Sequence, residues 1–187
     1  MEKDATAEKR ESIVICPSLV LTSSIRVLSS TRRFMSRMSA ILGVPIFRRG
    51  KSSLDEVAFF VKKSGFKSFV VVFSRGNRPS LLRFYKLLEE GYFVEYGEVV
   101  IGDLVYGDRG GIFIGCRLTP IGVSEKSRKL WGFLYDLFYG DSCEGYFGKI
   151  CEALIKDHAD GTVLEFWYQK SLLMRIAIEK VILRRVG

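Results

Sequence analysis

The chain has 187 residues, 48% of them hydrophobic and 27% charged, with a formal net charge of +8. That length suits one ordinary domain or one made of two similar halves, and the balance of residue types excludes wholesale disorder and any need for a disulfide framework. No apolar stretch approaches the roughly 20 residues that a membrane-spanning helix requires, and no apolar signal core follows the mixed-charge start.

In chain order, residues 1–11 are expected to be a frayed tail, and residues 12–187 one domain with a first half over 12–88 and a second over 89–187. Residues 12–21, with Ile13, Val14, Ile15 and Val20, read as a strand interrupted or ended near Pro17. After a polar loop, Ser29 or Ser30 is placed to cap a helix with Phe34, Met38, Ile41 and Leu42 on one face and Arg33 and Arg37 on a flank, ending at Gly43. Residues 44–48 read as a short strand. Ser53, Leu54, Asp55 and Glu56 make a capping box for a second helix that carries Lys62 and Lys63 in its last turn and stops at Gly65. Residues 66–74, centred on Phe69 to Phe73, predict a strand buried on both faces, so the first half reads β-α-β-α-β.

Residues 75–80 read as a loop and 81–88 as either helix or strand. A hairpin through residues 89–91 into a strand over 92–101 is favoured, because the following stretch alternates and is rich in aromatic and β-branched residues. Another strand pair is expected around residues 106–111, with 112–117 as its second arm. Ser124 should cap a helix over 125–139, a further helix is expected over about 144–157, and strands over 162–168 and 172–183 end the chain. The second half thus also mixes a sheet with two helices, which points to a duplicated α/β plan.

Charge is distributed unevenly. Residues 17–88 hold 14 Lys and Arg against only Asp55 and Glu56, a net of +12, while residues 1–16 carry −1 and residues 89–187 carry −3. Nine of those 14 cations are arginines, whose planar fork grips phosphate bidentately where lysine offers a point charge. A charge run is usually a solvated face, but an arginine-rich half of a domain suits a polyanion that releases counterions on binding.

Other chemistry has little support. Cys16, Cys116, Cys143 and Cys151 lack C-x-x-C spacing and His158 is the only histidine, so small reduced thiols and no metal site are expected. No G-x-S-x-G elbow and no paired base and nucleophile stand out, which points to a non-enzymatic protein without cofactor or small-molecule substrate. Arg48-Arg49-Gly50-Lys51-Ser52-Ser53 runs from the end of the expected short strand into a helix, so that backbone N–H groups and cations could converge on a phosphate. It resembles the end of a nucleotide-binding P-loop, but Pro45 stands where the first glycine is required, so ATP or GTP binding by that route fails. Glycines 107, 110, 111 and 115 lack the order of a dinucleotide loop and read as turns. Arg75-Gly76-Asn77-Arg78 forms a second basic loop beyond a central strand, where open α/β sheets bind ligands. Tyr85, Tyr92, Phe93 and Tyr96 suggest core, with base stacking as the alternative.

Three segments in order carry a family resemblance. Thr22-Ser23-Ser24 with Ser30-Thr31-Arg32-Arg33-Phe34, then Arg49-Gly50-Lys51-Ser52-Ser53-Leu54, then Gly76-Asn77-Arg78-Pro79 with Leu82-Arg83-Phe84, resemble the signatures of the Brix family of ribosome-assembly proteins. Arg78 is an insertion relative to the family's Gly-Asn-Pro pattern, and the lack of long charged tails is similar to the compact archaeal type. The resemblance covers residues 12–88 strongly. It implies binding of ribosomal RNA or its precursor, an α/β (α+β) fold whose two similar halves each place a mixed sheet beside helices, like the anticodon-binding domain of class II aminoacyl-tRNA synthetases, and no enzymatic step. The candidate RNA contacts are Arg26, Arg32, Arg33, Arg37, Arg48, Arg49, Lys51, Ser52, Arg75, Asn77, Arg78 and Arg83. Ribosomal or other ribonucleoprotein proteins are expected partners, the membrane is not, and the location is cytoplasmic, or nucleolar in a eukaryote. The alternatives are a protein–protein adaptor in ribonucleoprotein assembly and a tRNA-binding module.

Overall fold

β-branched and aromatic segments dominate the chain, and in the computed structural model, which describes residues 11–24, 27–89, 91–138, 141 and 148–184, they form a nine-stranded mixed sheet. The first half, which in the structure runs past residue 88 to residue 106, supplies β2 (Leu19–Ser23), α1 (Ser29–Leu42), α2 (Leu54–Lys63), β3 (Ser68–Arg75), β4 (Arg78–Leu87) and β5 (Phe93–Tyr106). The second supplies β6 (Gly115–Pro120), α3 (Glu125–Phe138), β7 (Ile150–His158), β8 (Gly161–Tyr168) and β9 (Ser171–Leu183). Each half is a parallel pair (β2 with β3, β6 with β7) joined by a helical crossover and continued by two antiparallel strands. The halves meet through their last strands, β5 and β9, so the order runs β6-β7-β8-β9-β5-β4-β3-β2, with β1 (Ile13–Ile15) added beside β6. This is the duplicated plan that the sequence suggested.

The first expected strand is therefore two, at opposite edges of the sheet. A flat sheet of this order would be about 38 Å wide at the usual strand spacing, yet residues 16–18 alone link β1 to β2 and reach about 14 Å at most. The sheet must curl until its edges meet. Ser18 N donates to Asp141 Oδ2 at 2.8 Å and Lys67 Nζ contacts Asp141 Oδ1 at 2.9 Å, which fastens that meeting point.

Side-chain alternation sorts the two faces of the first-half strands. Leu19 and Leu21 of β2, Val70 and Val72 of β3, and Leu82 and Phe84 of β4 point into one core with α1 and α3. Val20, Phe69, Val71 and Tyr85 point the other way and pack under α2 with Val57, Ala58 and Val61. The expectation that β3 is apolar on both faces holds because helices cover both. The larger core takes residues from both halves, including Phe34 and Ile41 of α1, Phe133 and Leu134 of α3, and Met174 and Ile176 of β9.

Several elements differ from expectation. Leu28, not Ser29 or Ser30, is the N-cap of α1, and no side chain caps it. Residues 44–48 make a single parallel bridge, Ile46 to Leu21, because Pro45 and the turn at Arg49 leave no room for a ladder. Residues 75–80 close as a two-residue hairpin in which Gly76, at φ +61°, takes the first turn position, and Pro79 enters β4 beside a bulge. The strand pair expected around residues 106–117 does not form: β5 continues to Tyr106 against β9, while residues 115–120 pair with β1 and β7. The helix expected over 144–157 is overturned for residues 150–157, which are β7, since Cys151, Ala153 and Ile155 are buried in alternation; residues 142–147 lie outside the described residues. Helix-forming side chains there yield to sheet pairing.

Asp157, expected to end that helix, instead holds the start of α3. Its Oδ2 accepts from the backbone N–H groups of Val123 at 2.7 Å and Ser124 at 2.8 Å, and its Oδ1 accepts from the hydroxyls of Ser124, Ser127 and Thr162. These hydrogen bonds outweigh burial and hold the carboxyl far below its ordinary range. The expected Ser124 cap is present, with Ser124 Oγ accepting from Ser127 N. Cys116 and Cys151, aligned across β6 and β7, are free and buried, whereas Cys16, expected as a reduced thiol, is disulfide-bonded. Residues 1–10 and Cys143 lie outside the described residues.

Candidate nucleic-acid interface

The parallel pairing of β2 and β3 brings their carboxyl ends to one edge, and the right-handed return through α1 places the helix start there too. Residues 46–50 follow β2 outward: Phe47 N donates to Leu21 O at 2.8 Å, and Thr22 Oγ1 donates to Phe47 O at 2.9 Å. Behind this tether the chain turns, with Ser52 N donating to Arg49 O at 2.9 Å and Arg49 Nε donating to Ser52 O at 2.6 Å. Arg48 and Arg49 thereby face Arg32 in the first turn of α1 across a concavity of about 590 Å³ whose wall includes Ser23, Ser36 and Phe47. The hydroxyls of Thr31 and Ser74 are hydrogen-bonded, which sets the Arg75-Gly76-Asn77-Arg78 hairpin beside the same helix turn.

The phosphate seat at the start of α2 is not built as the sequence suggested. Ser53 Oγ accepts from Glu56 N, and Glu56 Oε2 accepts from Ser53 N at 2.6 Å, so the helix supplies its own acceptors, with Asp55 and Glu56 adding negative charge. The nearby arginines serve the α1 side instead. Lys51 is exposed and Ser52 half-buried, both outside the concavity.

On the other flank of α1, Arg33 lies 4.5 Å over the Tyr106 ring, and Arg37 donates to the carbonyls of Asp108 at 2.8 Å and Gly107 at 3.0 Å. Partial burial, then the charges of Arg109 and Arg33, lower the Arg37 guanidinium from its ordinary value. Sequence reading missed Arg109, which sits in a glycine-rich stretch that reads only as a turn.

Among the described residues, no carboxylate lies within ion-pair distance of Arg32, Arg33, Arg37, Arg48, Arg49, Lys51 or Arg75. Arg78 pairs with Asp103 at 3.1 Å, both exposed, and such a pair contributes little and exchanges readily. Arg83 is held elsewhere. It contacts Glu98 at 2.6 Å and Glu95 at 3.7 Å and lies over Phe73, and although burial alone would lower its pKa, hydrogen bonds with Tyr85 and Glu98 raise it. Arg26 lies outside the described residues. Of the aromatic side chains that the sequence offers for stacking, Tyr85 is buried against Phe69 and Phe93, Tyr96 packs on Phe133, and Tyr92 is exposed. No group of three or more His, Cys, Asp or Glu side chains among the described residues could hold a metal, and no described helix is long and apolar enough to cross a membrane.

The sequence matches no family model and no curated protein. Solved structures do match, among them two that each cover 90% of the chain. One is a probable ribosomal biogenesis protein from Aeropyrum pernix K1, 20% identical, with a TM-score of 0.67 and 97% of its own length covered. The other is Mil, an archaeal Imp4-like protein, 22% identical, with a TM-score of 0.63 and 99% of its length covered. The chain therefore has the fold of these two Brix-domain proteins, members of the family that its three ordered motifs resemble.

Proposed function

We propose that the protein is a ribosome-assembly factor that holds ribosomal RNA and performs no chemical step. The observation that carries this reading is the convergence of Arg32, Arg48 and Arg49, without acidic partners among the described residues, in one concavity at the carboxyl ends of a parallel strand pair. Arginine forks at such a place suit phosphate oxygens. The buried acids Glu98 and Glu165 do not cancel this surface, since each is held in ion pairs of its own, whereas the exposed Asp103 pairs with Arg78 at 3.1 Å. The names of the two structural neighbours, a probable ribosomal biogenesis protein and an Imp4-like protein, support the same role.

Six cations lie at this end: Arg32, Arg48, Arg49, Lys51, Arg75 and Arg78. If each neutralises one phosphate, log affinity for single-stranded RNA falls with log salt at a slope of about −4. Filter binding of ribosomal RNA fragments across a salt series measures it, and Arg48→Glu with Arg49→Glu is expected to abolish retention. A flat salt response would reject the proposal. An adaptor role is the second reading, favoured by Phe59 and Tyr92, each 70% exposed beside a concavity next to α2. Under that reading the two charge reversals leave protein pull-down intact and RNA retention was never present.

A further inference from the structure

We infer that the concavity formed by Arg33, Arg37 and Arg109 is a second phosphate seat, so that an RNA strand crosses α1 from the Arg32–Arg48–Arg49 groove rather than ending in it. This rests on the RNA-binding reading above and extends it to a flank of α1 with no assigned role. The second concavity encloses about 540 Å³ and shares Ser36 with the first, so the two grooves adjoin across one helix.

Its cations are held in place before any ligand arrives. Both Nη atoms of Arg37 are fixed on backbone carbonyls, and Arg33 rests on the Tyr106 ring. The segment that carries Arg109 is pinned to α1, because Phe113 N donates to Ala40 O at 2.8 Å. At Gly43, which takes φ +68°, an added Cβ would lie 2.5 Å from Phe113 O, so glycine permits this close approach. Three guanidinium groups are thus crowded together with no carboxylate in ion-pair range among the described residues; Asp108 meets Arg37 through its carbonyl oxygen. Burial first, and then the charges of Arg109 and Arg33, lower the Arg37 pKa against the opposing effect of Tyr106 and Asp108, and a bound anion would offset the repulsion between the three guanidinium groups.

An extended phosphate backbone fits this arrangement because the two grooves adjoin at Ser36 on the exposed side of α1, so that one strand can occupy both in turn. Ile112, 79% exposed on the rim of the second groove, offers an apolar contact to a base.

The test uses the full chain, uridine oligomers of about three and about twelve nucleotides, and a polyglutamate peptide as an alternative anion, with binding followed by fluorescence anisotropy across a salt series. Arg33→Ala with Arg109→Ala is expected to reduce the steepness of the long-oligomer salt dependence by about 1.4, two contacts at 0.7 each, with short-oligomer affinity unchanged. Arg33→Lys with Arg109→Lys should restore most of that slope. Arg48→Ala with Arg49→Ala should weaken both oligomers. An unaltered long-oligomer slope in the Arg33/Arg109 variant, beside a clear loss in the Arg48/Arg49 variant, would overturn the second seat and leave the RNA-binding reading standing. If neither variant changes RNA binding, the underlying reading itself fails. Loss of polyglutamate binding alone in the Arg33/Arg109 variant would assign the groove to an acidic protein and overturn the inference. If the double variant melts early, Arg109→Ala alone, at an exposed loop position, should still lose about 0.7 of slope, and no loss there would count against the seat.

Discussion

At the scale of single residues, ion pairing decides which cations stay available. Glu165 is 1% exposed, yet it accepts from Lys156 Nζ and Trp167 Nε1 at 2.9 Å and from Arg175 Nε at 2.7 Å. Burial alone would raise its pKa, but these hydrogen bonds outweigh it and hold the carboxyl at about 2. A carboxylate depressed below its unfolded value of about 4.3 stabilises the fold above that pH, and the contribution is lost as pH falls from about 4.3 to about 2. Glu165→Gln is expected to cost about 1.5–3 kcal/mol near neutral pH, the usual worth of hydrogen bonds to a charged group. It should also flatten the acid limb of stability, which urea midpoints measured down through that window would reveal. Local chemistry was legible at this scale: the capping box at Ser53 follows from residues three apart, and the structure contains it. Arg83 was not legible, since its partners Glu95 and Glu98 come from β5 and a one-dimensional charge count credits it to the basic half.

At the scale of elements, turns and periodicity set register. Tyr168 pairs with Ser171 across the β8–β9 hairpin, leaving Gln169 at φ +46° and Lys170 at φ +71° in a two-residue turn. Such turns favour Asn-Gly because both positions are left-handed. Gln169→Asn with Lys170→Gly is expected to stabilise the protein by about 1 kcal/mol and to raise the Tm by about 2–4 °C, as read by differential scanning calorimetry; an unchanged or lower Tm would contradict the strain. α1, α2 and α3 were legible because their apolar residues recur at helical spacing with punctuation at both ends. β7 was not, because Glu152, Ala153, Leu154 and Lys156 favour helix in isolation and only pairing with β6 and β8 selects the strand.

At the scale of the whole molecule, one core joins both halves, with α1 and α3 inside the same curled sheet and β5 paired to β9 across the seam. Unfolding is therefore expected to be a single cooperative step. Both tryptophans, Trp131 and Trp167, report on the second half, whereas far-ultraviolet circular dichroism reports on all of it. The two urea transitions should coincide; separated midpoints would show that the halves unfold independently. The same closure explains the division between what was readable and what was not. The order of residues by itself determined the apolar periodicity, the helix ends, the +12 bias of residues 17–88 and the three motifs that pointed to the fold, because each depends on neighbours a few positions apart. Tertiary structure alone decided that residues 13–15 and 19–23 sit at opposite sheet edges, that Arg32 meets Arg48 and Arg49 while Arg83 turns to Glu98, and that Arg109 joins Arg33 and Arg37. Those contacts bridge distant positions in the chain, and they form only when burial of both faces of the first-half strands dictates how the sheet curls.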